Sequence, residues 1–233
     1  MRKDNIDGFR KKLYLKRSDT SRKDETTSRL KIDWEMDEKT SVKLLISQVD
    51  LDDPADIWTL DGSLNTLSDR PGMDSQKTNS YGLKIFHHFI GFDLQSLTSS
   101  TDTSVVFSYD ADWGNTDSWA PFIYDYFSET LRDRKTFSQE FRLISDEANL
   151  DEEQKIEWVF GVSYLEIKEL NLKIDDGNYG DPSDPYGPYS SVSSSSSKYK
   201  SDNPSLFGNL DYFISESLKL SLGLRWEDWE SKF

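Results

Sequence analysis

The sequence contains no cysteine, which excludes disulfide bonds, thiol catalysis and cysteine-ligated zinc. Cations are also scarce: 28 Lys and Arg stand against 43 Asp and Glu, so the formal net charge is -15. Nucleic acid is therefore not an expected partner, because its phosphates call for clustered basic residues. Hydrophobic residues make up only 35% of the 233 positions, a lean supply for a large buried core.

Long apolar stretches are absent as well. No run of 18 or more apolar residues occurs, so no transmembrane helix is predicted. The first residues, MRKDNIDGFRKKLYLKRSD, are charged and lack the apolar segment of a secretory signal peptide. No phosphate-binding loop, dinucleotide fingerprint or ordered Ser, His and Asp triad is found. We therefore expect no enzymatic activity and no cofactor.

What the sequence does contain is apolar residues at every second position. In LKLSLGLRW, residues 218–226, Leu or Trp alternates with Lys, Ser, Gly and Arg. This period of two predicts a β-strand with one apolar face and one polar face. The same pattern recurs at 29–36, 42–46, 81–85, 137–143, 156–164 and 206–212. Residues 93–109 are strand-like in composition, but their facing is ambiguous.

The connections between these segments are alternately short and long. Long polar loops are predicted at about 50–79, 110–135 and 168–203, and a short polar turn at 146–155. The last long loop holds a serine run that predicts a mobile segment. The sequence thus predicts an all-β fold: an antiparallel up-and-down sheet of about eight or nine strands, typical of a transmembrane β-barrel with short periplasmic turns and long extracellular loops. A soluble barrel or sandwich with the apolar face inside gives the same alternation.

A membrane barrel places the apolar face against lipid and the polar face against a wet lumen. The residues predicted to face that lumen are Arg29, Glu140, Arg142 and Arg225. The two histidines, His87 and His88, are adjacent in a predicted strand, so their side chains point to opposite faces. They cannot jointly hold one metal ion, and no metal site is predicted.

The loop predicted at 110–135 combines many aromatic residues with aspartates. Exposed aromatics at this density often contact ligands. The candidate ligand contacts are Trp113, Trp119, Tyr124 and Tyr126. The alternative is that these rings pack only against their own loop. The acidic clusters in the other long loops do not match the calcium-loop spacing and favour solvated loops.

Several segments resemble a known family. They are FSQEFRLIS at 137–145, WVFGVSY at 158–164, LFGNLDYFISESLKLSLGLRWE at 206–227 and LQSLTS at 94–99. Together, in this order and spacing, they resemble TonB-dependent receptors, the outer-membrane transporters of Gram-negative bacteria. The resemblance extends over nearly the whole chain.

The resemblance implies a barrel plugged by an N-terminal globular domain, in contact with outer-membrane lipid. It implies a nutrient ligand, such as a ferric siderophore or cobalamin, held by the outer loops. It also implies uptake driven by the inner-membrane TonB energy-transducing complex through an N-terminal region. This sequence shows no plug-like segment, so residues 1–233 are expected to form part of such a barrel and to share the function of their parent.

Other functions remain open at this stage. A small complete outer-membrane barrel acting as a porin or adhesin is one alternative. A soluble carbohydrate-binding β-protein that uses its loop aromatics as stacking platforms is another. A glycosidase would need two converging carboxylates that the sequence alone does not identify.

Overall fold

The computed structural model describes residues 1–145, 156–215 and 217–233, so the turn predicted at 146–155 lies outside the described residues. The described residues form strands β1 to β13 and one short helix, α1. Their bounds are β1 Arg2–Ile6, β2 Arg10–Lys12, β3 Arg17–Thr20, β4 Lys23–Glu35, β5 Thr40–Pro54, β6 Asn65–Thr66, β7 Met73–Phe89, β8 Phe92–Asp110, α1 Thr116–Trp119, β9 Ile123–Ser145, β10 Ile156–Gly180, β11 Tyr189–Ser215, β12 Leu218–Glu227 and β13 Glu230–Lys232.

Ten strands form one antiparallel sheet in the order β1-β4-β5-β7-β8-β9-β10-β11-β12, with β13 also paired with β11. Beyond β4, neighbours in this order are also successive long strands of the chain, as an up-and-down meander requires. The predicted all-β antiparallel fold is confirmed. In the described residues β1 and β12 do not pair with each other, so the sheet is an open wall. A small second sheet, β3-β2-β6, lies beside it.

The strands are much longer than their alternating segments, and the predicted loop boundaries at 50–79, 110–135 and 168–203 are wrong. The connections span only 55–72, 111–122 and 181–188. The predicted mobile serine run is part of β11, where Ser194 pairs with Ile174 and Ser196 with Leu172. Backbone hydrogen bonds stabilise this pairing of β10 with β11 independently of the polarity of the side chains. Where both faces meet water, a strand needs no alternation of polarity.

The described residues contain almost no apolar core. Ala55 is the only hydrophobic residue among them that is buried, and the other buried residues are polar or glycine. Several polar side chains pair across strands, as where Ser163 meets Ser205 at 2.6 Å and Thr98 donates to Gln139 at 2.6 Å. A sheet that buries polar groups and exposes apolar ones cannot be stabilised as a water-soluble sandwich is.

Helical structure in the described part is confined to α1, four residues within the 111–122 connection. The Asn115 side chain caps it by accepting hydrogen bonds from the backbone N–H groups of Asp117 and Ser118. No described helix has the length and the apolar character needed to cross a membrane.

Candidate functional site

One face of the large sheet, here called the apolar face, presents apolar side chains in register. A single row across eight strands contains Trp34, Val42, Ile85, Ser96, Phe141, Val162, Leu206 and Trp226. The rings of this row are open to the surroundings: Trp34 is 57% exposed and Phe141 46%. A continuous exposed apolar surface of this kind calls for a non-aqueous partner.

The soluble alternative required these side chains to converge on a dry centre. Instead, Leu220 is 59% exposed and Leu222 is 61% exposed. No second layer of the described structure covers them. The described residues thus lack the dry centre that the alternative of a soluble barrel or sandwich requires, because no described protein layer packs on the apolar face.

The opposite face, here called the polar face, carries charged side chains. The row one residue further along contains Asp33, Lys43, Lys84, Leu97, Glu140, Ser163, Ser205 and Glu227. A cavity of about 630 Å³ opens on this face, lined in part by Lys31, Asp33 and Arg142. The two faces thus differ in chemistry residue by residue along each strand.

All four residues predicted to face a lumen belong to the polar face. Arg29 pairs in register with Ser47, and Glu140 and Arg142 lie two residues apart on β9. Arg225 lies on the same face of β12. Arg142 forms an ion pair with Glu140, and Arg225 forms one with Glu227. Their exposure to a closed lumen stays a prediction, since the described sheet is an open wall.

An aromatic side chain that the sequence analysis missed lies between two of these arginines. The Arg142 guanidinium carbon lies 5.9 Å from the centre of the Phe207 ring, and that of Arg225 lies 5.4 Å from it. The ring covers Gly161, where an added Cβ would collide with it. Cation–π attraction and this close approach hold the three side chains together. The signal in the sequence was a glycine in the middle of an otherwise apolar strand.

Three of the four predicted ligand contacts lie together near the long connections. Trp119 and Tyr124 have ring centres 5.2 Å apart, and Tyr124 and Tyr126 have centres 4.7 Å apart. Trp113 is separate from this series: its backbone has a left-handed φ of 62° and its side chain is 41% exposed. The structure therefore groups Trp119, Tyr124 and Tyr126 but leaves Trp113 apart.

The same aromatic surface continues through residues that the sequence analysis did not select. Trp58 lies 5.1 Å from Tyr109, and Phe107 lies 5.8 Å from Tyr109, between ring centres. Tyr109 pairs with Ser128, which lies two residues from Tyr126 on the same face. We call the combined set the aromatic cluster: Trp58, Phe107, Tyr109, Trp119, Tyr124 and Tyr126. Phe107 and Tyr109 alternate in β8, a period of two that marks a shared face.

Asp112 positions two members of the aromatic cluster, Trp119 and Tyr126. Its carboxylate accepts hydrogen bonds from the Trp119 indole at 3.0 Å, the Tyr126 backbone N–H at 2.8 Å and the Gly114 backbone N–H at 2.9 Å. The Tyr126 ring covers Gly177, where an added Cβ would collide with it. Rings fixed in this way lose little freedom when a ligand stacks on them.

Two cations lie on the same polar face, further from the long connections. The Arg134 Nη2 lies 2.5 Å from Glu169 Oε2, and the Arg132 Nε lies 3.8 Å from Glu169 Oε1. Two guanidinium groups thus share one carboxylate, which leaves a local positive charge. Arg132 is six residues from Tyr126 along β9, or about 20 Å at the rise of a strand.

The histidine prediction is confirmed by the register. Thr40 Oγ1 lies 2.8 Å from His87 Nδ1 on the apolar face, whereas His88 Nδ1 lies 2.7 Å from Asp93 Oδ1 on the polar face. In the described ranges, no group of three or more His, Cys, Asp or Glu side chains is arranged to hold a metal ion.

An antiparallel sheet with an exposed apolar face and a charged polar face is typical of the wall of a membrane β-barrel. The family model described as TonB dependent receptor-like, beta-barrel matches residues 13–233. The chain belongs to this family of receptor barrels, as its resemblance in sequence implied. No curated protein matches the chain in sequence.

Solved structures with the same fold support this assignment. The chain is similar to the ferric yersiniabactin uptake receptor FyuA from Yersinia pestis, with a TM-score of 0.63, 10% identity, and coverage of 99% of this chain and 37% of that one. It is also similar to the RagAB peptide transporter, with a TM-score of 0.52, 13% identity, and coverage of 90% and 28%. At these identities the likeness shows the fold. The chain spans little more than a third of the length of FyuA.

Proposed function

We propose that this chain forms part of the barrel of an outer-membrane receptor that takes up a scarce nutrient in a Gram-negative bacterium. The observation that carries the proposal is the pairing of an exposed apolar face with a charged polar face, in a chain of the receptor-barrel family. Lipid is the proposed partner of the apolar face. The TonB energy-transducing complex is the proposed partner of the complete receptor. The proposed role of this chain is structural and ligand-binding, with no covalent chemistry.

The aromatic cluster is the proposed site of first contact with the nutrient. Its strand residues Phe107, Tyr109, Tyr124 and Tyr126 lie on the polar face near the long connections, and Trp58 and Trp119 of those connections contact them. Stacking on fixed rings suits a ligand with flat unsaturated groups. The positive charge of Arg132 and Arg134 further along the same face suits an anionic ligand. A ferric siderophore combines these two properties, and cobalamin is the second candidate nutrient.

The test is ligand binding and uptake by cells that express the complete product of this gene. Cells are incubated with a panel of ⁵⁵Fe-loaded siderophores or with ⁵⁷Co-cobalamin. We expect one labelled ligand to bind, and to accumulate only in energised cells. The double variant Trp119→Ala, Tyr126→Ala is expected to weaken binding about tenfold or more, because two stacking surfaces are lost.

Trp113→Ala is the matched control, because this tryptophan lies in the same connection but outside the aromatic cluster. It is expected to leave binding nearly unchanged. Equal losses in the control and the double variant would contradict the proposed site. Ion conductance through the purified protein without binding of any labelled ligand would contradict the proposed function and favour a porin.

A further inference from the structure

Residues Leu67–Arg70, here called the strap, tie the 55–72 connection to the β8–β9 hairpin. The Asn115 side-chain amide donates to the Leu67 carbonyl at 2.7 Å. The Asp69 backbone N–H donates to the Gly114 carbonyl at 3.0 Å. Two contacts between connections far apart in sequence fix the strap over the end of β8.

Arg70 extends the strap to two further strands. Its guanidinium binds Asp125 of β9 at 3.3 Å and Asp176 of β10 at 2.8 Å. The guanidinium also lies 4.7 Å from the centre of the Phe127 ring. These contacts favour docking of the strap at any pH at which the two carboxylates are ionised.

Asp110 lies beneath the strap and is only 3% exposed. Its Oδ1 accepts hydrogen bonds from the backbone N–H groups of Asp112 and Trp113, each at 3.2 Å. Its buried Oδ2 receives no well-oriented hydrogen bond; the buried Ser68 hydroxyl of the strap faces the carboxyl and only partly offsets its burial. A buried carboxylate oxygen without a well-oriented donor is costly when it is ionised and far less so when it carries a proton.

The charged groups around Asp110 make ionisation still less favourable. Asp112 faces it from its own connection and Asp69 faces it from the strap. Arg70, the nearest cation of the strap, is already bound to the acids of β9 and β10. Burial, the largest cause, and these like charges raise the pKa of Asp110 to about 7, although the Ser68 hydroxyl and the Asp112 backbone N–H act in the opposite direction. Burial and neighbouring acids also raise the pKa of Asp69.

We propose that Asp110 is a proton-dependent latch: the strap docks on the β8–β9 hairpin when the Asp110 carboxyl is protonated and is released when it ionises. The docked state binds the proton more tightly than the released state, in which an aspartate has an ordinary pKa near 4. The docking constant therefore falls about tenfold per pH unit between about pH 4 and pH 7 and is constant above that range.

Release also affects the aromatic cluster. Trp58 belongs to the same 55–72 connection as the strap and contacts Tyr109 of β8. Releasing the strap breaks the contacts that Leu67 and Asp69 of this connection make with the β8–β9 hairpin. Acid conditions then keep Trp58 on the cluster, and alkaline conditions loosen it.

The experiment measures the distance between two spin labels in the complete gene product, held in lipid vesicles. The chain has no natural cysteine, so Leu67→Cys in the strap and Asp117→Cys in α1 supply the labels. Double electron–electron resonance (DEER) gives the distribution of distances between the two labels, and it is recorded from about pH 4 to pH 8. We expect a short, narrow distance in acid, and a growing long-distance population as the pH rises to about 7.

Two variants test the role of the carboxyl. Asp110→Asn has no ionisable group and is expected to keep the short distance throughout. Asp181→Asn, a matched control at a half-buried acid of the next connection, 181–188, is expected to follow the unsubstituted protein. If the strap of the unsubstituted protein stays docked at every pH, the experiment is repeated with Arg70→Gln, which weakens docking. The docking constant of this variant is then expected to fall about tenfold per pH unit. Adding Asp110→Asn is expected to abolish that fall.

Three results would overturn the latch. The first is a distance independent of pH both in the unsubstituted protein and in Arg70→Gln. The second is a pH response that persists in Asp110→Asn. The third is full redocking of the strap at alkaline pH on addition of millimolar calcium chloride. That result would show that Asp69, Asp110 and Asp112 bind a cation and not a proton.

Discussion

The two ends of the long strands share one hydrogen-bonded ladder but differ in what their side chains meet. Near the short turns, Val162 on the apolar face alternates with Ser163 on the polar face. Near the long connections, Ser194 and Ser195 of β11 are both polar and exposed. Backbone pairing continues unchanged from one end to the other. The alternation therefore reports the surroundings of a strand and not its existence.

Order at the two ends also has different physical sources. The end near the short turns has an exposed apolar face that lipid is proposed to cover. The end near the long connections is held by polar contacts between distant residues, such as Arg70 with Asp176 and Lys12 with Asp56. Charge substitutions at one end and pair-breaking substitutions at the other are therefore expected to act differently.

The largest expected effect is at a buried ion pair of the small sheet. Lys12 Nζ lies 3.6 Å from Asp56 Oδ2, and the two side chains are 2% and 4% exposed. Burial raises the pKa of Asp56, while Lys12 and Thr66 oppose the rise. Lys12→Met leaves a buried acid unpaired and is expected to cost about 3–5 kcal/mol locally. Hydrogen exchange of the β2, β3 and β6 amides measures the loss.

Lys11→Met is the control, because the neighbouring Lys11 is exposed and is expected to tolerate the change. The double variant Lys12→Met, Asp56→Leu is expected to recover most of the stability, since no buried charge remains. Failure of this recovery would show that the pair does not hold the small sheet, and would weaken the contrast between the two ends.

The second effect compares two adjacent residues of β5 that face opposite ways. Leu44→Arg places a charge on the apolar face and is expected to cost about 2–4 kcal/mol in lipid. Leu45→Arg places it on the polar face and is expected to cost much less. Ser194→Arg, on the same side of the sheet as Leu44 but near the long connections, is expected to cost almost nothing. Urea unfolding of the complete gene product in vesicles measures all three; equal costs at 44 and 45 would refute the assignment of faces.

The smallest effect concerns the polar face. Gly161→Ala forces the Phe207 ring from its place between Arg142 and Arg225, and is expected to cost about 1–3 kcal/mol. Gly82→Ala is the matched control, because its new Cβ would lie 3.6 Å from the Leu45 Cβ, an ordinary contact. In a Phe207→Ala background the cost at Gly161 should vanish. Urea unfolding in vesicles measures these costs. A cost of Gly161→Ala that persists in the Phe207→Ala background would indicate strain in the backbone.

The sequence was sufficient to predict a strand and its facing where the two faces of that strand meet different surroundings. Alternation of Leu30, Ile32 and Trp34 with charged residues predicted both the strand and its apolar face, and the register confirms both. His87 and His88 were correctly separated by the same rule. The serine-rich half of β11 gave no such signal, because the side chains on both of its faces are polar. In β10 the alternation continues, with Leu170, Leu172 and Ile174 separated by polar residues, so this part of the predicted loop could have been recognised as a strand.

The candidate site was only partly predictable for a different reason. Trp119, Tyr124 and Tyr126 are close in sequence and were found by their density. Trp58 and Tyr109 meet across 51 residues, and only the folded sheet brings them together. The strap contacts are likewise non-local, and Asp110 acquires its unusual environment from residues that precede it by about forty positions.

The central claim is that neighbouring residues of one strand face lipid and water respectively. Single cysteines at Leu83 and Lys84, spin-labelled in the complete gene product in vesicles, test it most directly. The label at 83 is expected to be relaxed mainly by oxygen, which dissolves in lipid, and the label at 84 mainly by a water-soluble nickel chelate. Equal relaxation of both labels by the nickel chelate, or the reverse order, would contradict the account.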